Sequence, residues 1–161
     1  MRVLGIDPGT RRTGWGVAER TGVQLRCVDA GVIALDAKAP LADRLETVFD
    51  ALDALVTEHR PEAIAVEDVF YAKYANAAIK LGHVRGVVLL LAAKRSLRLA
   101  EYPPALVKRT VAGRGAADKE QVSKLICVML GIEAGLGVDA TDALAVAVTH
   151  LRQLGGPRRA R

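Results

Sequence analysis

Residues 2–17 read RVLGIDPGTRRTGWGV. Val3, Leu4 and Ile6 form a strand-like apolar run that ends in a carboxylate, Asp7, and Pro8 and Gly9 then turn the chain. A strand of this kind delivers Asp7 to the rim of a sheet. The chain restarts with Thr13, Trp15 and Val17 alternating against smaller residues, which predicts two antiparallel strands joined by a basic turn carrying Arg11 and Arg12. A carboxylate beside two cations reads as one half of a metal and phosphate site.

Outward from this hairpin, residues 22–35 (GVQLRCVDAGVIAL) are rich in β-branched side chains and predict a third strand of the same sheet. Between Pro40 and Arg60, Leu41, Leu45, Val48, Phe49, Leu52, Leu55 and Val56 recur at three- and four-residue steps, an amphipathic helix begun by Pro40 and stopped before Pro61. Ala63 to Val66 is a short apolar run of the buried-strand type, and it ends in Glu67 and Asp68. A second strand therefore brings a carboxylate to an edge. Residues 69–76 (VFYAKYAN) concentrate aromatics beside Lys73, and the helix expected over 77–95 becomes almost wholly apolar from Val87 to Ala93. Such a helix is either the central helix of the domain or faces a second subunit. A strand at 97–102, a short helix after Pro103, a basic glycine-containing loop at 108–119 and two further helices complete the pattern, with Asp118 and Gln121 spaced as a capping box. The last helix, expected over 139–154, is read as packing Leu144, Ala147, Val148, Leu151 and Leu154.

The chain of 161 residues suits one domain, taken as 1–154, followed by a flexible basic tail at 155–161. Apolar residues make up 51% and aromatics only 4%, so the core is built from Ala, Val and Leu, and general disorder is excluded. A net charge of +5 and a pI near 9.5 favour a polyanionic partner. Cys27 and Cys127 have no zinc-site or disulfide-framework spacing and read as reduced thiols. With neither a leader nor a membrane-length apolar run, the expected location is the cytoplasm.

Asp139 and Asp142, three apart at a helix start, share one face. If that helix end meets the strand ends bearing Asp7 and Glu67, four acids converge, and a cation must offset their repulsion. Oxygen-only ligands point to Mg²⁺ or Mn²⁺ rather than zinc. Two such ions about 3.5–4 Å apart activate a water and stabilise a leaving alkoxide in phosphodiester hydrolysis. Each acid also has a plainer reading: Asp139 and Asp142 as caps of their helix, Asp7 as part of a turn, Glu67 and Asp68 as a solvated strand end.

Four segments, IDPGTRRTGWGV, VEDVFYAKYANAAIKLGHVRG, YPPALVKRTVAGRGAADKEQV and VDATDALAVAVTH, resemble in order and over nearly the whole chain the RuvC family of bacterial Holliday-junction resolvases. The resemblance implies an α/β, ribonuclease-H-like fold: a mixed five-stranded β-sheet flanked by α-helices. It also implies a homodimer that nicks four-way junction DNA with paired symmetric cuts, using two Mg²⁺ or Mn²⁺ ions per site, and a RuvA–RuvB branch-migration complex as partner. By motif position the family's catalytic and metal-binding carboxylates fall on Asp7, Glu67, Asp139 and Asp142. Its junction-wedging aromatic falls on Phe70, with Tyr71 as helper, and its basic contacts on Lys108 and Lys119. Lys73, Asn76, Lys80, Arg85 and Arg114 are the further candidates for DNA contact. Asp68 stands where the family frequently has an uncharged residue, and His83 reads as a helix-surface histidine.

Three rivals share features of this reading. The Asp7-Pro-Gly-Thr turn also resembles the first phosphate loop of actin-like ATPases, which need a second domain that this length excludes. A nuclease of ribosomal RNA precursors has a similar opening, but FYAKYAN and the Asp139/Asp142 pair fit it less well. A junction binder without catalysis would bind DNA equally well with Asp7 replaced.

Overall fold

The computed structural model describes residues 1–68, 75–115, 117–133 and 135–154, with the side chains of 75–77 also left out. Its elements run β1 (Arg2–Asp7), β2 (Arg12–Thr21), β3 (Gln24–Ala34), α1 (Leu41–His59), β4 (Ala63–Glu67), α2 (Ala75–Lys94), β5 (Arg98–Tyr102), α3 (Pro104–Ala112), α4 (Lys119–Leu130) and α5 (Val138–Gln153). The strands form one sheet in the order β3-β2-β1-β4-β5. β1, β2 and β3 are antiparallel neighbours, whereas β1, β4 and β5 run parallel. This is the mixed five-stranded sheet expected from the sequence.

Local chemistry accounts for the helix ends. Pro40 precedes α1, and Arg60 closes it in the left-handed region before Pro61. Asp118 caps α4 by accepting a 2.7 Å hydrogen bond from the Gln121 backbone N–H, and Gly131, at φ 65°, ends it.

Strand alternation divides the sheet into two faces. Leu4, Ile6, Val17, Ile64 and Val66 pack against Val48, Leu52 and Val56 of α1 and Val84, Val88 and Leu91 of α2. Val3, Ala18, Ala63 and Ala65 pack on the other face against α3, α4 and α5. Here α5 takes the central place: every residue from Ala140 to Leu151 except Asp142 is buried. Glycines allow this close seating, because a Cβ at Gly5 would overlap the Ala143 carbonyl, one at Gly14 the Asp139 carbonyl, and one at Gly16 the Leu144 side chain. Gly5 and Gly16 are register partners, so the three make a trench across β1 and β2 under the helix.

The apolar helix α2 is therefore not the central helix of the domain. It buries one face, while Ile79 and Leu90 are 59% and 55% exposed. The alanine-rich α5 wins the centre because its small side chains fit between the sheet and two further helices. Leu154, expected to pack in α5, follows the helix and is exposed. Cys27 and Cys127 are free and half-buried. No helix among the described residues is long and apolar enough to cross a membrane.

Candidate active site

The same alternation aims the acids. On β1, Val3 and Gly5 face α5, so Asp7 does too; on β4, Ala63 and Ala65 face α5, so Glu67 does too. β1 and β4 pair in parallel up to Ile6 and Val66, which brings Asp7 and Glu67 level at adjacent strand ends. α5 starts above this rim. Its Asp139 backbone lies against Gly14, the register partner of Asp7, and Asp142 follows one turn later. Two strand ends and one helix start therefore gather all four acids named from the sequence.

Their electrostatics are those of a site short of positive charge. Burial raises the Asp7 carboxyl from its ordinary 3.8 to about 7, and Glu67, Asp142 and Asp139 push it the same way against Lys119. Glu67 is raised by burial and by Asp142, while Lys119 and Lys108 oppose the shift. The capping alternative for Asp139 and Asp142 does not hold: the N-cap of α5 is Gly137, and no side chain caps the helix. Asp139 Oδ2 instead forms an ion pair with Arg12 Nε at 2.9 Å, and Asp142 Oδ2 accepts from Lys119 Nζ at 2.8 Å.

An all-oxygen donor set with raised carboxyls fits a hard divalent cation. Among the described residues, however, no three His, Cys, Asp or Glu side chains are gathered tightly enough to hold an ion. Two of the four acids are instead ion-paired, Asp139 with Arg12 and Asp142 with Lys119.

A cleft of about 130 Å³ opens beside the acids, lined by Glu67, Asp142, Lys108, Lys119, Pro104 and Val107. Lys108 and Lys119, expected to bind DNA, both border it. Arg114 is exposed and donates to Gln121 at 3.0 Å, and Lys80 is exposed on α2. Arg85, a further candidate for DNA contact, is ion-paired. It pairs with Asp68 at 3.7 Å and with Glu101, so the additional acid after Glu67 has a local cation. Phe70, Tyr71 and Lys73 lie outside the described residues, as does the Asn76 side chain and the tail at 155–161.

Two features escaped the sequence reading. Arg12 was legible as a cation near Asp7, and its place two residues before Gly14 puts it on the α5 face, but its pairing with Asp139 depends on where α5 docks. Tyr102, the register partner of Glu67, meets His150 of α5 with 2.7 Å between the hydroxyl and Nδ1. Residues 48 apart in sequence gave no signal of that contact.

Comparison with known proteins agrees with the geometry. The family profile described as crossover junction endodeoxyribonuclease RuvC matches residues 3–150. A crossover junction endodeoxyribonuclease RuvC of Sorangium cellulosum is 50% identical over 155 residues, covering 96% of this chain and 87% of the relative. One from Syntrophotalea carbinolica is 48% identical, with 93% of each chain covered. Among solved structures, Thermus thermophilus RuvC in complex with Holliday junction substrate superposes with a TM-score of 0.89 at 33% identity, covering 96% of both chains. Acids at two strand ends and one helix start, on a fold shared over almost the full length, lead to one conclusion: the chain belongs to the RuvC family of crossover junction endodeoxyribonucleases.

Proposed function

We infer that this protein resolves four-way DNA junctions by hydrolysing phosphodiesters at the rim where Asp7, Glu67, Asp139 and Asp142 meet, leaving 5′-phosphate and 3′-hydroxyl ends. The observation that carries the inference is the convergence of four carboxylates beside a cleft bordered by Lys108 and Lys119. Two Mg²⁺ or Mn²⁺ ions, when bound, supply polarisation of the phosphate and activation of the attacking water.

The chain's own residues prepare for that chemistry. Asp7 and Glu67, fixed at adjacent strand ends, would hold the ions from the sheet side, and Asp139 and Asp142 from the helix side. Carboxyls already raised by burial and mutual repulsion release protons as cations enter, so ion binding is favoured by rising pH. Lys108 and Lys119 orient phosphate oxygens over the acids, and Lys119 exchanges its bond to Asp142 for one to DNA. Phe70 and Tyr71 follow β4 closely in sequence, which suits the expected stacking on opened junction bases.

A homodimer suits a junction with two-fold symmetry, because like surfaces place two equivalent sites on symmetric strands. Supporting α2 as the contact, Ile79, Gly82, Gly86 and Leu90 recur at helical spacing, Ile79 and Leu90 are exposed, and open space surrounds both glycines. The basic composition favours junction binding that weakens with salt. A branch-migration complex remains a partner inferred from family membership.

The test compares wild type and Glu67→Gln on a synthetic four-way junction and a linear duplex, in Mg²⁺, Mn²⁺ or EDTA, with nicks mapped on a denaturing gel. Paired symmetric nicks in the junction alone, abolished by EDTA and reduced at least about a hundredfold in the variant while junction binding persists, are expected. Tight binding with no nicks under either metal would make the protein a junction binder. Preferential RNA degradation would point to RNA processing.

A further inference from the structure

We propose that Arg12 is a reversible cap on Asp139, competing with divalent cations for that carboxylate in the free protein and leaving it when junction phosphates arrive. The proposal rests on the metal-dependent reading above and adds a residue to it.

Arg12 differs from the structural arginines of the fold. Arg2, Arg20, Arg44 and Arg152 each donate to a backbone carbonyl, of His59, Leu151, Thr10 and Thr110 respectively, and so tie elements together. Among the described residues Arg12 makes no such tie, and its partner is the Asp139 carboxylate at 2.9 Å. The arrangement is built by the backbone. Arg12 and Gly14 share one face of β2, and at Gly14 the strand touches the backbone of Asp139, so the guanidinium is held within reach of this acid. Arg12 is 62% exposed and Asp139 36%, which leaves the pair open to exchange with solvent, metal or phosphate.

Two of the four acids in the free protein thus carry side-chain cations, Lys119 on Asp142 and Arg12 on Asp139. A divalent ion drawn to Asp139 meets the positive guanidinium already there. Junction DNA offers Arg12 an alternative, since a phosphate accepts from a guanidinium as well as a carboxylate does. Metal and DNA would then favour one another's binding reciprocally, and the free protein would be held with its metal site underfilled.

The test is Mn²⁺ titration of free wild type, Arg12→Gln and Arg12→Lys, followed by the electron paramagnetic resonance signal of unbound Mn²⁺. Removing an exposed ion pair should tighten Mn²⁺ binding about two- to fivefold in Arg12→Gln, with Arg12→Lys close to wild type. Thermal unfolding in EDTA and in Mn²⁺ is the second readout, and Arg12→Gln should show the larger Mn²⁺-induced gain. With junction present, the Mn²⁺ concentrations giving half-maximal nicking should converge for wild type and Arg12→Gln. Equal affinities in the free proteins would overturn the cap and leave the metal reading intact. Weaker binding by Arg12→Gln would overturn it by making Arg12 an organiser of Asp139. An undiminished difference with junction would overturn release by phosphate, and absence of Mn²⁺ binding in all three proteins would overturn both readings.

Discussion

Replacing Asp7 with Asn should stabilise this protein in the absence of metal, and increasingly so as pH rises. The Asp7 carboxyl titrates at 3.8 in an ordinary environment and at about 7 in the fold, where burial and three neighbouring acids disfavour its charge. Between those values the folded state holds a proton that the unfolded chain releases, so stability is lost as pH rises from about 4 to 7. At about 1.4 kcal/mol for each pH unit separating the two titrations, with an allowance for solvent at the rim, the cost at pH 8 is about 2–4 kcal/mol. At pH 4 it is nearly absent. Asparagine keeps the shape and removes the charge. Denaturant unfolding of wild type and Asp7→Asn in EDTA should therefore give closely similar free energies at pH 4 and a variant more stable by about 2–4 kcal/mol at pH 8. Saturating Mg²⁺ should close the gap by stabilising wild type alone, while the variant loses nicking activity. A variant equally stable to wild type at pH 8 in EDTA, or destabilised to the same extent at every pH, would refute the claim that uncompensated carboxylate charge strains the site.

Gly14→Ala places a methyl against the Asp139 carbonyl, and should cost about 1–3 kcal/mol in thermal or chemical unfolding and depress nicking by shifting α5. Leu90→Glu puts a charge on the exposed face of α2; if α2 forms the proposed dimer contact, light scattering should show the variant monomeric at concentrations where wild type is dimeric, with circular dichroism unchanged. Tyr102→Phe leaves His150 Nδ1 without its hydroxyl partner and should cost about 1–3 kcal/mol in unfolding. Burial lowers the His150 pKa below its ordinary 6.5, so the unfolded chain takes up the proton first as pH falls. In the Asp7→Asn background, stability in EDTA should decline as pH drops below about 6.5, and His150→Gln should remove that decline.

Much of this was legible in the sequence because it depends on local patterns. Val3, Leu4 and Ile6 before Asp7, and Ala63 to Val66 before Glu67, announce strands that end in acids, and period-two alternation then decides which face each acid takes. Resemblance to the RuvC family put the four acids forward, and the register of β1 with β4 explains why Asp7 and Glu67 end level. Helix docking was not legible. The apolar run in α2 exceeds that in α5 and suggests the wrong central helix, since burial here follows small size, Ala143 and Ala147 over Gly5, more than hydropathy. Arg85 illustrates the same limit from the side of charge: its partners Asp68, just after β4, and Glu101, on β5, are brought to its guanidinium only by the fold.

The glycine trench under α5 behaves as a machined bearing surface. Because Gly5 and Gly14 bring the strands against the helix backbone, and Gly16 leaves room for the Leu144 side chain, the height of Asp139 and Asp142 above Asp7 and Glu67 is set largely by two backbones in near contact. A single added methyl in the trench would act as a shim, raising Asp139 and Asp142 relative to Asp7 and Glu67 while every acid remained in place in the sequence.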